Sequence, residues 1–226
     1  LPEKFRVNIE TWKRSNPDFD IRAWTDANLR FDGPYLQACR RLGNWANASN
    51  YLRLDKIAAE GGIYLDVDVM LVRPLDPLLR HRCFFGFQVE EREPDWVNNA
   101  VFGAEPGHWF IDRMRTRLLA DFDGSEPANH SAPRLLTRML VEHGLDRYDP
   151  RGVDVDGVRI EPRPVFYPHS WREPFRLAAV APETLAVHFW EKSWHAPEAS
   201  AEARLETLEA EHQRLIGEAL SAPVHA

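Results

Sequence analysis

Two aspartates two positions apart are the residues of this sequence best placed to do chemistry. Asp66 and Asp68 follow an apolar stretch, with Val67 between them. Alternate side chains of a β-strand share one face, so the two carboxylates would point the same way from Cα atoms about 6.6 Å apart. Buried carboxylates are costly to keep charged unless a cation meets them. The pair alone indicates either two solvated acids at a strand end or a site for Mg²⁺ or Mn²⁺, which prefer oxygen ligands and often bind substrate phosphates.

A helix followed by a strand is expected to position this pair. The strongest helical pattern covers residues 44–60, and the glycines at 61 and 62 end it. Residues 63–72 are strand-like, and their apolar start indicates an interior strand. We expect the aspartates at the carboxyl end of that strand, which is where α/β sheets bind ligands.

The rest of the chain alternates between helical and strand-like patterns. Further helices are predicted over residues 2–14, 35–42, 107–122 and 133–143. Strands are predicted over residues 19–24, 84–89, 165–167 and 185–189, with a hairpin over 153–160 and a loop running into a short strand over 97–104. This order indicates an α/β fold in a single domain, residues 1–226, with a long charged helix over residues 200–220.

Composition and charge argue against several classes of protein. The 226 residues suffice for one domain with a substantial core. The net charge of −7, without a basic tract, argues against a nucleic-acid surface. The two cysteines lack CxxC spacing, which disfavours a zinc knuckle or disulfide scaffold and fits a reducing cytoplasm. No apolar run approaches the roughly 20 residues that a membrane-spanning helix needs.

The residues around the aspartates resemble a known family. The helix carries ASNYLR over residues 48–53, and the strand carries GGIYLDVDV over residues 61–69. This pattern is similar to that of glycosyltransferases with a "DXD sugar-binding" region, namely the Och1-like and capsular-polysaccharide enzymes of glycosyltransferase family 32. The catalytic domains of large clostridial toxins are related to them. Residues 16–26, 97–108 and 188–194 also resemble segments of the family.

The resemblance implies a GT-A-like fold with a central mixed sheet flanked by helices. It also implies a divalent metal (usually Mn²⁺, alternatively Mg²⁺), a nucleotide-sugar donor, most often linked to UDP, and retention of anomeric configuration. The acceptor and the oligomeric state stay open. A cytoplasmic bacterial protein is expected, and peripheral association with a membrane is left open.

The resemblance also implies roles for individual residues. Asp68 would bind the metal directly, Asp66 would contact the donor and the metal through water, and His188 would complete the metal site. Catalysis would rest on Asp66, Asp68 and Arg53. The donor-binding residues implied are Asn50, Arg53, Tyr64, Asp66, Asn98, Asn99, Lys192, Ser193 and Trp194.

The sequence departs from the family pattern at three places. Asn50 stands where the family usually has Asp, and an amide supplies hydrogen bonds but no charge. Ala132-Pro133 stands where the family has Gly-Pro. The family's opening strand, with an Ile-His…Trp motif, has no counterpart before Leu1, so either the chain is truncated or nucleotide-base binding is built differently.

The leading hypothesis is a metal-dependent retaining glycosyltransferase that moves a hexose or N-acetylhexosamine from a nucleoside diphosphate sugar. One alternative is a haloacid-dehalogenase-type phosphatase, since residues 66–69 also resemble that motif, in which the first Asp is a nucleophile. Met70 stands where that motif has Thr or Val. The other alternative is a sugar-nucleotide-binding module with weak catalysis, motivated by Asn50 and the absent opening strand.

Overall fold

The computed structural model of the chain describes residues 2–25 and 27–191. Its helices are α1 (Glu3–Ser15), α2 (Pro34–Leu42), α3 (Trp45–Glu60), α4 (Trp109–Asp121) and α5 (Leu135–Glu142), with short helical turns at Asp76–Arg80, His130–Arg134, Arg163–Phe166 and Leu177–Ala179. Its strands are β1 (Gly62–Leu65), β2 (Val69–Leu71), β3 (Cys83–Phe87), β4 (Val97–Ala104), β5 (Val153–Val155), β6 (Val158–Glu161) and β7 (Ala186–His188). The helix predicted over residues 200–220 lies outside the described residues.

The contacts divide the chain into two units. The larger unit is drawn from Asp20–Leu65 and Leu78–Arg163, and the smaller from within Leu1–Phe19, Asp66–Pro77 and Pro164–Ala226. None of the helices in the described part of the chain is both long enough and apolar enough to cross a membrane.

A five-stranded mixed sheet in the order β1-β4-β3-β6-β5 forms the centre of the larger unit. β3 and β6 run parallel, and the other neighbouring pairs are antiparallel. The predicted α/β class with a mixed sheet is therefore confirmed. The predicted hairpin is also present, because Asp156 and Gly157 both adopt positive φ between β5 and β6, as the tightest hairpin turns require.

The core of the larger unit lies between this sheet and its helices. The rings of Phe85 and Phe102 stack with 5.2 Å between centroids, and Phe110 of α4 meets Phe85 edge-on at 5.8 Å. All three side chains are fully buried, and each such burial contributes about 1.5–3 kcal/mol to stability. These contacts hold the sheet rigid behind β1.

The stop at the end of α3 is where the glycine pattern predicts it. Gly61 has φ +69°, and a Cβ at this position would lie 2.6 Å from Cδ of Pro106. Only glycine can take this conformation at so close an approach. The chain therefore leaves α3 at Gly61 and enters β1 at once.

The smaller unit contains α1 and a two-stranded antiparallel sheet of β2 and β7. Its apolar core joins Met70, Phe175, Val187 and Phe189, with Val7 of α1 packed against it. The sequence predicts both α1 and the late strand, and both are confirmed.

Four local predictions were wrong or incomplete. Residues 19–24 form no strand, because their side chains are largely exposed and no neighbouring strand pairs with them. Val165 and Phe166 belong to the helical turn Arg163–Phe166, whose first turn tolerates Pro164, and Tyr167 follows it. Residues 97–104 form one continuous buried strand. The strand predicted over residues 63–72 is interrupted at the two aspartates.

Candidate active site

A tight turn is formed by Asp66, Val67 and Asp68, which are not part of a strand. β1 ends at Leu65, β2 begins at Val69, and the amide of Val69 donates to the carbonyl of Asp66 at 3.0 Å. Val67 is 42% exposed whereas Asp68 is only 6% exposed. The expectation that strand alternation aligns the two carboxylates was therefore wrong, and the turn itself brings them together.

Asp66, Asp68 and His188 form a cluster that could hold a metal ion. One ligand atom from each lies within 4.8 Å of the other two. His188 is supplied by β7, whose register with β2 places it opposite Val69. Two carboxylate oxygens and an imidazole nitrogen suit a divalent ion such as Mn²⁺. We call these three residues the metal trio.

Asp68 is held by two contacts within the metal trio's surroundings. His188 Nε2 lies 3.2 Å from its Oδ2, and the amide of Glu191 donates to the same oxygen at 2.9 Å. Burial would raise the pKa of Asp68, but the neighbouring His188 and the hydrogen bond from Glu191 outweigh this, so its pKa lies below the ordinary value. Asp68 is therefore a carboxylate at neutral pH.

The chain passes around Asp68 through a strained residue. Trp190 has φ 58°, a conformation that a large side chain rarely adopts. It stands between Phe189 and Glu191, whose amides donate to the carbonyl and the carboxylate of Asp68. The Trp190 ring lies 4.3 Å from the His188 ring. Such strain is often found at functional sites, and nothing in the sequence pattern indicates this role for Trp190.

Polar side chains of α1 hold the backbone of the turn and of β2. Asn8 Nδ2 donates to the carbonyl of Val67 at 2.8 Å, and Trp12 Nε1 donates to that of Val69 at 2.7 Å. Thr11 Oγ1 accepts from the amide of Leu71 at 3.1 Å. Together with the bonds from Val69 and Phe189, these leave every carbonyl of residues 66–68 hydrogen-bonded.

The role of α1 was missed because its apolar spacing alone predicts an amphipathic helix. Asn8 and Thr11 are buried on the same side as Trp12. Buried polar side chains normally have hydrogen-bond partners, and short polar residues at helical spacing beside a tryptophan were the available signal.

Arg53 and Tyr64 lie together in the larger unit. The Arg53 guanidinium carbon lies 4.5 Å from the centre of the Tyr64 ring. Arg53 also donates to the carbonyl of Asn99 at 3.1 Å and to Ser49 Oγ at 3.1 Å. These bonds hold its guanidinium in one orientation, and only 9% of the residue is exposed.

Asn99 carries a buried amide group that no described residue satisfies. The residue is 2% exposed, and its Nδ2 has no hydrogen-bond partner in the described part of the chain. Buried unsatisfied donors are rare and call for an explanation. A ligand oxygen would satisfy this one.

Asn50 and Asn98 use their amides within the protein. Asn50 Nδ2 donates to the carbonyl of Ala128 at 2.8 Å and to Ser131 Oγ at 3.2 Å. Asn98 Nδ2 donates to Gln88, and its Oδ1 accepts from the amide of Ala100. The structure thus links these two predicted donor-binding residues to neighbouring segments.

Asn50 is the last of three asparagines along α3 that face one loop. Asn44 and Asn47 donate to carbonyls of Gly124 and Glu126, much as Asn50 donates to Ala128. The spacing of three residues places them on one helix face. This ladder anchors residues 124–131 and was not anticipated from the sequence.

The predicted site residues therefore fall into three groups. The metal trio belongs to the smaller unit. The larger unit contains Asn50, Arg53, Tyr64, Asn98 and Asn99. Lys192, Ser193 and Trp194 lie outside the described residues.

Two family models match the chain. The model described as "glycosyltransferase sugar-binding region containing DXD motif" matches residues 2–85, which include Arg53 and the turn. The model described as "alpha 1,4-glycosyltransferase conserved region" matches residues 103–212, which include His188.

Three curated relatives come from three organisms, and two of them carry glycosyltransferase names. Glucan organizing enzyme 1 of Cryptococcus neoformans is 33% identical over 98 residues, covering 41% of this chain and 26% of that protein. Inositol phosphoceramide mannosyltransferase 3 of Schizosaccharomyces pombe is 30% identical, with coverage of 49% and 32%. Human alpha-1,4-N-acetylglucosaminyltransferase is 27% identical, with coverage of 65% and 43%.

The matches cover less than half the length of each of these three relatives. None of the three supports the expected relation to clostridial toxins. Both family models agree with the residues that suggested the resemblance. Over residues 2–85 and 103–212 the chain is similar to the DXD-containing glycosyltransferases, through a sugar-binding region and an alpha-1,4-glycosyltransferase conserved region.

Proposed function

We propose that the chain is a metal-dependent retaining glycosyltransferase that moves a hexose or N-acetylhexosamine from a nucleoside diphosphate sugar, with UDP favoured, to an acceptor. The observation that carries this proposal is the metal trio, in which Asp66, Asp68 and His188 bring two carboxylates and an imidazole within 4.8 Å of one another. The relatives' names, a mannosyltransferase and an N-acetylglucosaminyltransferase, fit the proposed sugar classes.

Asp66, Asp68 and His188 would hold Mn²⁺ or Mg²⁺. Asp68 is kept ionised by His188 and the amide of Glu191, so it would offer the metal an anionic oxygen. A divalent cation held there supplies positive charge to the departing diphosphate without proton transfer.

Arg53, Tyr64 and Asn99 are proposed as donor contacts in the larger unit. The planar guanidinium of Arg53 suits phosphate or sugar oxygens, and its bonds to Ser49 and Asn99 set its orientation beforehand. The unsatisfied Nδ2 of Asn99 is available to a sugar hydroxyl or phosphate oxygen. We keep Asn50 and Asn98 as donor-site residues in a supporting role, since their amides bond to other parts of the protein.

For retention we propose attack on the same face that the diphosphate leaves. The bond from the acceptor oxygen to the anomeric carbon forms as the bond from that carbon to the phosphate oxygen breaks. The acceptor proton passes to the leaving phosphate oxygen. Asp68 is enclosed by His188 and the amides of Phe189 and Glu191, which disfavours it as a covalent nucleophile.

We further propose that the two units together make one GT-A-like catalytic domain. The sugar-binding family model supports this, because its match over residues 2–85 runs through parts of both units. The roles of Lys192, Ser193 and Trp194 with the leaving diphosphate are part of the same proposal and rest on the family resemblance.

A donor screen tests the proposed function. UDP- and GDP-linked hexoses and N-acetylhexosamines are incubated with and without Mn²⁺, and donor hydrolysis is measured before transfer to candidate acceptors. We expect Mn²⁺-dependent hydrolysis of one donor, retained configuration in the product, and calorimetric binding of the matching nucleoside diphosphate.

Other outcomes of this screen identify the alternatives. Metal-dependent nucleotide binding without turnover indicates a binding module. Phosphate release from p-nitrophenyl phosphate indicates a phosphatase. Absence of any metal-dependent nucleotide binding would contradict both transferase-fold interpretations, and a trapped glycosyl-enzyme adduct would contradict same-face attack.

A further inference from the structure

Arginine and exposed apolar side chains occur together where α2 meets α3. The set, which we call the basic–aromatic patch, comprises Arg30, Phe31, Arg40, Arg41, Leu42 and Trp45. Leu42 and Trp45 are each 56% exposed, among the most exposed large apolar side chains of the described residues. The patch lies wholly within the larger unit.

The local backbone forces these apolar side chains outward. Gly43 ends α2 in a left-handed conformation with φ 71°, and α3 begins two residues later. Trp45 then packs edge-on against Phe31, with 6.0 Å between ring centroids. Leu42 follows directly after Arg40 and Arg41, the two arginines of the last turn of α2, and lies three residues before Trp45.

The arginines of the patch form no ion pair with any carboxylate of the described residues. Within the described ranges, no ion pair involves Arg30, Arg40 or Arg41, whereas Arg115 and Arg134 pair with aspartates at 2.8 and 2.7 Å. No acidic residue occurs from position 33 to position 54, although the chain carries 35 Asp and Glu. Asp32 is the single acid between Arg30 and Trp45.

Neighbouring acids are already used elsewhere. The Glu126 carboxylate accepts from the hydroxyl of Tyr35 and the amide of Gly124, and Asp123 accepts from Ser125. Arginines in a last helical turn do offset the helix dipole, but that role does not require Leu42 and Trp45 to be exposed. The patch therefore combines arginines that form no ion pair among the described residues with exposed apolar side chains.

We propose that the basic–aromatic patch docks the protein on an anionic phospholipid bilayer. Tryptophan favours the membrane–water interface, and an anionic leaflet attracts basic side chains close to its surface. The net charge of −7 does not oppose this strongly, because charges more than about 10 Å away are screened at 0.1 M salt. Trp45 and Leu42 insert at the headgroup level, and the three arginines contact lipid phosphates.

Vesicle co-sedimentation tests the proposal without metal or donor, so its outcome is independent of the proposed transferase activity. Wild-type protein is mixed with phosphatidylcholine vesicles and with vesicles containing roughly one third phosphatidylglycerol. We expect binding to the anionic vesicles only, weakening as salt rises from about 0.1 M to about 1 M. A blue shift of tryptophan emission that depends on Trp45 would report insertion.

Matched variants separate the patch from general charge effects. Arg40→Glu with Arg41→Glu should weaken binding at least 30-fold, taking about 1 kcal/mol per arginine removed. The control, Arg113→Glu with Arg147→Glu, makes the same charge change at exposed arginines elsewhere and should bind as wild type. Leu42→Ser should weaken binding severalfold, whereas Leu119→Ser, also an exposed leucine, should not.

Three results would overturn the proposal. Binding to neutral and anionic vesicles alike removes the role of the arginines. An equal loss in both charge-reversal pairs assigns binding to net charge. The third result is binding to a soluble polyanion such as heparin that is as tight as binding to vesicles and is unchanged by Leu42→Ser. It would identify the patch as a polyanion-binding surface and not a bilayer site.

Discussion

Nε2 of His188 lies 3.2 Å from Oδ2 of Asp68. The contact depends on the register of β2 with β7, which places His188 opposite Val69, the residue after Asp68. The two side chains come from segments far apart in the chain. Each of them is almost fully buried. Replacing either side chain therefore changes the environment of the other.

Asp68→Asn should abolish metal-dependent turnover while leaving the fold in place. The amide nearly matches the carboxylate in shape but removes the charge that binds the metal, and we expect turnover to fall roughly 100-fold or more. Donor hydrolysis over a Mn²⁺ titration measures this, with Asp18→Asn, an exposed position of the smaller unit, as control. Activity within a fewfold of wild type would show that Asp68 is not a metal ligand.

Asn8→Ala should weaken metal binding through the backbone of the turn. It removes the donor to the Val67 carbonyl, and supporting contacts of this kind typically change metal affinity about 10- to 100-fold. The free energy of unfolding should fall by about 1 kcal/mol, since the partly buried hydrogen bond to the Val67 carbonyl is lost.

Mn²⁺ affinity of the Asn8→Ala protein, measured by electron paramagnetic resonance, separates the two effects. Thr116→Ala, which removes a side-chain bond to the Asp112 carbonyl in α4 of the larger unit, serves as the control. Reduced stability with unchanged Mn²⁺ affinity would mean that Asn8 supports the fold alone.

Asn99→Ala should raise the KM for the donor without loss of stability. Nδ2 of Asn99 has no partner among the described residues, so its removal relieves a buried unsatisfied donor that costs about 1–3 kcal/mol. Asn98→Ala is the matched comparison, because it removes bonds to Gln88 and Ala100 and should destabilise the protein. Thermal unfolding and donor kinetics of both variants measure this. A lower melting temperature and an unchanged KM for Asn99→Ala would refute the donor role.

Asn50→Asp, although it restores the acid usual in the family, should be destabilising. An Asp carboxylate cannot donate to the carbonyl of Ala128, where the Asn50 amide now donates at 2.8 Å. We expect a loss of about 1–3 kcal/mol and faster hydrogen exchange in residues 124–131. A variant that is as stable as wild type and more active would show that Asn50 affects how the donor is used and does not anchor this loop.

The thermal stability of the protein should fall as the pH drops below about 6.5, partly because of His108. Burial, and next the charge of Arg82, lower the pKa of His108 below its ordinary value. Its neutral Nδ1 accepts from the amide of Phe110 at the start of α4. A lowered folded pKa means that this stability is complete above the ordinary pKa and is lost as pH falls through the folded value.

His108→Asn keeps a helix-capping side chain and should flatten the dependence of the melting temperature on pH between about 7 and about 5. Equal slopes for wild type and variant would assign that pH dependence to other groups.

Local signals predicted much of the fold. The glycines after α3, the Asp156-Gly157 turn and the periodicity of α1, α2 and α4 depend on a few adjacent residues, so a single sequence reveals them. The strand at residues 19–24 was wrong because alternation indicates a buried face only if a partner strand exists. The turn at Asp66–Asp68 was hidden because its flanking residues are apolar enough to continue a strand.

The site could be predicted as a set of residues and not as an arrangement. The aspartates, Arg53 and His188 follow from the family pattern, but the approach of His188 to Asp68 depends on a non-local strand register. The buried amides of Asn8 and Asn50 point to segments distant in sequence, so helical periodicity could not reveal their partners. The strain at Trp190 follows from the path of the chain around Asp68, which no local pattern encodes.

The smaller unit draws on three separated spans of the chain, and this sets the order in which its parts leave the ribosome. All residues of the larger unit have been synthesised once Arg163 is made, and domains generally fold as units during synthesis. At that moment both aspartates exist, but β7 and the amides of Phe189 and Glu191 do not. A released chain truncated after Arg163 should therefore fold its Arg53 region and show no tight Mn²⁺ binding, so that metal capture requires synthesis through Glu191.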